Sequence, residues 1–386
     1  MNRIAIKMLV GDRAKYIGII VGLTFASLLI TQQASIFIGL MTRTYGAVSA
    51  NGLADIWIMD ENVRFFDDVK PMSDMLLQRT RGVPGVAWAV PFYRNILNCR
   101  MANGKVQHVN LNGLDDGTLI GGPPEMVVGS LSDLRRADSI IVDETGAARE
   151  LARPAREPGG PSVPLAVGDV IEINDHRATV VGICRTVRSF QWGPQVYTTY
   201  SRAVSFAPPQ RKSMSFILVK AKPGQSVPDL CQSLRGVTGL EARTQREFEK
   251  EIYDYFYYYT GIPINFGIAV ILGFIVGTAI AGQTFYNFTL DNLKHFGALK
   301  AMGASNGMLL RMILLQSAVV GFIGYGLGVG IASLFGLLIA DSELAFRLPW
   351  WLLLVSALSV GVICMLSAGI SILKVVRLEP AIVFKG

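Results

Sequence analysis

The side chains best suited to binding a metal or attacking a substrate are few in this chain. His108, His176 and His295 stand far apart, and neither they nor Cys99, Cys184, Cys231 and Cys364 fall at metal-ligand spacing. No serine–histidine–acid set or pair of carboxylates stands out as a catalytic group. The G-x-x-x-x-G-K-[ST] loop that cradles nucleotide phosphates is absent. The chain is expected to be no enzyme and to bind no metal or cofactor, so any chemistry must come from another chain. Cys364 lies in an apolar run, which leaves three cysteines elsewhere, enough for at most one disulfide with unassigned partners.

Mechanical patterns are richer than chemical ones. Asn287–Arg311 (NFTLDNLKHFGALKAMGASNGMLLR) is charged and helical in spacing, and Gly303 can end one helix before another begins near Asn306. Gly273 and Gly277 are spaced G-x-x-x-G, with Ala281 extending the row, and Gly324/Gly328 and Gly326/Gly330 repeat that spacing. Such rows let helix backbones approach closely, within one chain or across a seam between two copies. Gln245–Tyr259 (QREFEKEIYDYFYYY) is helical in pattern, charged first and aromatic later. Tyrosines concentrate at membrane interfaces, so this segment reads as a stalk helix carrying Phe248, Ile252, Tyr255, Phe256 and Tyr259. A tyrosine cluster packed under a folded domain is the other reading. Gly261-Ile262-Pro263 then marks a break.

The elements that position these segments are set by where charge is missing. Only 17% of the 386 residues are charged, against roughly 25% in soluble proteins. The deficit falls in Tyr16–Met41, Gly261–Thr289, Met312–Ala340 and Pro349–Leu373. Each run exceeds the ~20 residues needed to cross a bilayer. Thr42–Thr260 is ordinary water-soluble sequence. This pattern excludes a cytosolic enzyme, a disordered chain and a nucleic-acid binder.

The net charge of +7 has a location. Arg3, Lys7, Arg13 and Lys15 face Asp12 before the first run; Lys294, Lys300 and Arg311 face Asp291 between the second and third; Lys374, Arg377 and Lys385 face Glu379 at the end. These three segments carry the entire excess, and four crossings put them on one side. Short basic segments stay cytoplasmic, so both termini are expected inside and the large domain outside. Val48-Ser49-Ala50 resembles a signal-peptide cleavage site, but the apolar run before it is longer than the 7–15 residues of such a leader. Thr31-Gln32-Gln33 interrupts the first run and is expected at the outer interface, with Ser35–Met41 extending the helix outward.

The outer domain reads as α+β. Ala54–Met59 alternates like a strand, and Pro71–Arg79 has helical spacing. Val86–Arg100 and Lys105–Leu111 read as strands around the turn Asn103-Gly104. Together these form the first half of a ferredoxin-like unit. Ser215–Lys220, a helix around Val227–Leu234 and a strand at Leu240–Arg243 supply the second half. Residues 114–206 form a β-rich insert, with a hairpin of Val170–Ile173 and Ala178–Ile183 through Asn174-Asp175. Arg153–Pro164, rich in Pro, Gly and Arg, reads as a mobile loop.

The expected organisation is a helical membrane protein of four spans with a large extracytoplasmic α+β domain, a ferredoxin-like porter half plus insert, between spans one and two. Its segments are an inner N-terminus (1–15), span one (16–42), a periplasmic domain (43–260) with the stalk (245–259), and span two (261–286). A coupling helix (287–311), span three (312–340), span four (349–373) and an inner tail (374–386) follow.

His295–Ala304 (HFGALKAMGA), followed by a Gly-rich span, resembles the coupling-helix motif of the MacB/FtsX/LolC-like (type VII) ABC transporter permeases, whose span order is the same. ADIWIMD (Ala54–Asp60), VPGVAWAVPFY (Val83–Tyr93), LKAMG (Leu299–Gly303) and RLEPAIVFKG (Arg377–Gly386) are most similar to DevC-type exporter permeases. The resemblance covers essentially the whole chain. It implies mechanotransmission: a separate ABC ATPase, binding ATP and Mg, pushes on His295, Phe296, Leu299, Lys300, Met302, Gly303 and Ala304. Members commonly carry Glu where His295 stands, so that contact differs here. The resemblance further implies two permease copies, a bacterial inner-membrane location, a periplasmic membrane-fusion adaptor, an outer-membrane TolC-like channel, and efflux of amphiphilic or lipid-like cargo. An FtsX-like signalling subunit that transports nothing and activates an outer partner is the second expectation.

Overall fold

The computed structural model describes residues 2–101, 103–154, 160, 162–190, 193–339, 342 and 344–376. It divides into two compact units, one of Met1–Leu40 with Thr260–Gly386 and one of Met41–Tyr259.

Helix α1 (Asn2–Gly11) precedes helix α2 (Arg13–Ala50). The sequence expectation left the first fifteen residues without structure, because ten residues cannot show a membrane-length apolar run. In α1, Ala5 and Leu9 are buried and Ile4, Ile6 and Val10 are exposed. Helix α2 is unbroken for 38 residues, nine past Met41. Thr31 is fully buried, and its Oγ1 lies 2.6 Å from the Ser356 hydroxyl. A hydroxyl sealed among apolar helices has no water to satisfy it, so a protein partner is required.

The second unit begins with β1 (Ile56–Met59), α3 (Met75–Arg81), β2 (Val86–Arg100) and β3 (Val106–Leu114). Then come β4 (Glu125–Val128), β5 (Ser139–Asp143), α4 (Glu144–Ala148), β6 (Val170–Ile173), β7 (His176–Arg185) and β8 (Gln195–Thr199). Helix α5 (Tyr200–Phe206), β9 (Phe216–Ala221), α6 (Val227–Thr238), β10 (Glu241–Thr244) and α7 (Gln245–Tyr258) complete it. Strands β10, β1, β9 and β2 lie side by side, all antiparallel. With α3 and α6 this is the ferredoxin-like arrangement of two interleaved βαβ units.

Period-two alternation divides its faces. Ile56, Ile58, Ile217 and Val219 pack with Leu77 of α3 and Leu230 and Leu234 of α6. Trp57, Phe92 and Phe216 point the other way, forming edge-on and tilted ring contacts with one another and with Phe248, while Phe66 meets Trp57 edge-on and stacks on Phe216.

Lys105–Leu111 is not the third strand of the ferredoxin unit, as the sequence suggested. β9 takes that place beside β2, and β3 opens the insert. The reason is the length of β2: over 15 residues it pairs with β9 through Phe92 and with β3 from Tyr93 onward. Within the insert, β3 runs parallel to β8 and β5 parallel to β7, around a core that includes Leu111, Ile140, Val142, Ile173, Val180 and Val196. β6 and β7 form the expected hairpin, and Asn174 and Asp175 both take positive φ, as a two-residue hairpin turn requires. In the expected loop at 153–164, the backbones of Arg153 and Val163 exchange hydrogen bonds of 2.7 and 3.0 Å; residues 155–159 and 161 lie outside the described residues.

Helices α8 (Ile262–Asp291), α9 (Leu293–Ala301), α10 (Asn306–Leu338) and α11 (Trp350–Val376) finish the chain. Among the described residues four helices, α2, α8, α10 and α11, are long and apolar enough to cross a membrane. The terminal motif Arg377–Gly386 lies outside the described residues, as do 340, 341 and 343. All four cysteines are free thiols and buried.

Candidate functional site

Helix α9 spans only part of the expected coupling segment, since α8 runs on to Asp291. Its limits follow from local chemistry. Gly303 adopts φ +94°, a conformation that strains a residue with a Cβ, and this ends the helix. Ser305 restarts the chain as α10, its Oγ accepting the Met308 amide, as an N-cap hydroxyl does.

The seven residues expected to face an ATPase divide into two sets. Phe296 is fully buried, in a cluster with Ala5 of α1, Leu309, Met312 and Ile313 of α10, and Ala368 of α11. Leu299 and Ala304 are partly buried against it. His295, Met302 and Gly303 are exposed and Lys300 is half-buried; Lys294 and Ala298 share the open face. Phe296 is therefore an internal anchor instead of a surface contact. Sequence reading also missed α1 as its neighbour; Ala5 and Leu9 four residues apart, flanked by basic residues, were the available signal. The Gln316 amide donates to the Ala5 carbonyl at 2.8 Å, tying α1 to α10. Lys15, at the start of α2, pairs with Asp12 at 2.9 Å and also with Asp291 at the end of α8.

The glycine rows meet α2 of the same chain. A Cβ at Gly273 would stand 3.1 Å from Leu29 Cβ, and one at Gly277 would overlap Ala26 Cβ. Gly324 abuts Leu23 and Thr24, and a Cβ at Gly328 would stand 2.7 Å from the Thr24 carbonyl oxygen. A Cβ at Gly326 or Gly330 would meet nothing within 4 Å. One row of α10 thus packs on α2 while the other faces away.

In the second unit, α7 starts with a capping box. Thr244 Oγ1 accepts the Glu247 amide at 3.2 Å, and the Glu247 carboxylate accepts the Thr244 amide at 2.8 Å. Phe248 and Ile252 are fully buried and Phe256 nearly so, whereas Tyr259 is exposed. Phe248 reaches Trp57 at 5.8 Å and Phe216 at 6.0 Å. Higher on the helix, Tyr255 stacks on Phe65 at 5.1 Å, and Phe256 meets Phe65 at 5.6 Å and Phe190 at 4.5 Å. Glu251 pairs with Arg243 at 2.8 Å, while burial pushes its carboxyl above the usual range. The C-terminal end of α2 lies alongside: Ser49 donates to Glu249 at 2.7 Å. Helix α7 is thus held by the ferredoxin sheet, by the loop after β1 and by the insert. The stalk and the α9 anchor lie in different units. Among the described residues, no group of three or more His, Cys, Asp or Glu side chains could hold a metal ion.

The MacB-like periplasmic core domain model matches residues 17–237, and the FtsX-like permease C-terminal model matches residues 258–380. The chain belongs to the MacB/FtsX-like ABC permeases. Permeases of this family are the transmembrane component of ABC transporters, work with an ABC ATPase and carry a periplasmic domain. No curated protein matches the chain. Solved structures similar to this permease include the periplasmic region of MacB from Actinobacillus actinomycetemcomitans. That match has 15% identity and a TM-score of 0.37, covering 53% of this chain and 95% of that one. The extracellular domain of the noncanonic ABC-type transporter YknZ from Gram-positive bacteria is similar at 11% identity and a TM-score of 0.34, covering 50% and 98%.

Proposed function

We propose that this permease is the membrane subunit of an ATP-driven exporter in the bacterial inner membrane, with both termini in the cytoplasm. Two copies pair with two ABC ATPase subunits, which bind the ATP and Mg. His295 on the open face of α9, half-buried Lys300, and Met302 and Gly303 in the turn that follows the helix receive the ATPase. Movement there passes through the membrane helices to α7, and the outer domain drives amphiphilic or lipid-like cargo toward a periplasmic adaptor and a TolC-like channel. The observation that carries the reading is the two-sided character of α9: one face is open, while the opposite face seats Phe296 among α1, α10 and α11. A push on a helix anchored in this way moves the helices behind it, because close-packed interiors transmit displacement.

The test is purification of the tagged permease in mild detergent with identification of its companions, alongside a Leu299→Glu variant. An ATPase and an adaptor are expected with the unsubstituted chain, and Leu299→Glu separates ATP hydrolysis from export. A companion peptidoglycan hydrolase in place of an adaptor moves the assignment to an FtsX-like signalling subunit. Undiminished export by Leu299→Glu removes α9 from the mechanism.

A further inference from the structure

We propose that Arg94 is the positioning residue that locks the ferredoxin-like half and the insert into one rigid lever, an inference that rests on the outer domain transmitting movement as proposed above.

Arg94 follows by one residue the point where β2 exchanges its partner β9 for β3. Its side chain is 1% exposed and grips both halves. On the ferredoxin side, Nε donates to the Asp67 carboxylate at 2.8 Å and Nη2 lies 2.7 Å from the same oxygen. The guanidinium also sits 5.0 Å from the centre of the Phe66 ring. On the insert side, Nη1 donates to Asn112 of β3 and to Gln195 of β8, both at 3.0 Å. The backbone is held as well: Ser215, just before β9, accepts the Arg94 amide at 2.9 Å and donates to its carbonyl at 3.0 Å.

The junction needs such a grip. Pro91, three residues earlier, has no N–H to donate, and the pairing of β2 with β9 ends one residue after it, at Phe92. Apolar packing is also incomplete there: Phe66, Phe92, Asn112, Gln195 and Tyr197 line a small cavity beside it. A buried guanidinium with a carboxylate and two amide acceptors is costly to pull apart, because each separated group would be left desolvated and unpaired. The loop bearing Phe66 and Asp67 also bears Phe65, which stacks on Tyr255 of α7. The insert bears Phe190, which touches Phe256. Helix α7 therefore holds both halves, and Arg94 keeps them from yielding separately.

The test places nitroxide labels at Ser132→Cys in the insert and Ser233→Cys on α6, both exposed, in the full chain in lipid nanodiscs. Distance distributions are measured without nucleotide, then with the copurified ATPase and ATP–vanadate. A single narrow distance, the same in both states, is expected for the unsubstituted Arg94. Arg94→Met and the milder Asp67→Asn are expected to broaden it, and Arg94→Lys, which keeps the charge but not the fork, to broaden it less. If Arg94→Met fails to fold, Asp67→Asn decides. A distribution that stays narrow in every folded variant overturns the proposal, as does a distance in the unsubstituted chain that shifts with ATP–vanadate. Failure of the export reading shows separately, as undiminished export by Leu299→Glu, and leaves the nucleotide-free widths as they are.

Discussion

Gly277 and Ala26 meet with no room between them for even one further methyl group. Together with Gly273 against Leu29, this contact sets how closely α8 approaches α2. Gly277→Leu is expected to destabilise the helical unit by about 1–3 kcal/mol, the usual cost of overpacking. Gly326→Leu, where the space is open, is expected to cost little. Thermal unfolding in detergent, followed by circular dichroism, compares the two; equal losses would contradict the packing described.

Phe296 and Met302 sit on the same short segment with opposite surroundings. Phe296→Ala is expected to cost about 3–5 kcal/mol, as removal of a buried aromatic ring does. Met302→Asp, at an exposed position, is expected to leave stability unchanged and to reduce recovery of the ATPase with the permease. Denaturation midpoints and the ATPase-to-permease ratio after affinity capture check both outcomes.

Proline at Phe256 disrupts the last turn of α7 and removes the ring that meets both Phe65 and Phe190. The local cost is ~3 kcal/mol or more, from a lost hydrogen bond and a ring clash. Export by Phe256→Pro is expected to fall while the ATPase still binds, as read by cargo accumulation and by copurification. Normal export would exclude α7 as the transmitting helix.

Burial pushes the thiols of Cys99 and Cys184 up to about 12 and that of Cys231 to about 11. The thiolate is the reactive form, so a maleimide reagent at neutral pH is expected to leave all three unmodified in the folded chain and to modify them after denaturation. The sign of the linkage is also fixed. An ordinary thiol titrates near 9.0, so between that pH and about 12 the folded state holds more protons than the unfolded one. Stability is therefore lost as pH rises through that window. Denaturation midpoints at a series of alkaline pH values, compared with a Cys99→Ala chain, read this contribution.

Much of the fold was legible because its signals were local. Long charge-poor runs marked α2, α8, α10 and α11; Asn174-Asp175 marked a hairpin turn; Gly303 marked the end of α9. The two βαβ halves could be recognised although more than a hundred residues separate them. What the sequence hid depends on partners distant along the chain. Nothing in Val86–Arg100 tells that its strand serves β9 and then β3, so Lys105–Leu111 reads as part of the ferredoxin half although it opens the insert. Thr31 gives no sign of Ser356, 325 residues away. Phe296 reads like its exposed neighbours until α1 and α10 close over it, and Arg94 like any surface arginine until Asp67, Asn112 and Gln195 surround it. Helical and strand periodicity show which face is apolar, but not what that face will meet.

The shared strand β2 also governs what can be cut from this protein. An insert joined at two loop ends could be excised and its flanks resealed. Here, removing it would strip β3 from the second half of β2 and bare a run of unpaired backbone from Tyr93 to Arg100. Such an open strand is a template for chain-to-chain adhesion, so truncation would yield a sticky fragment in place of a smaller working domain.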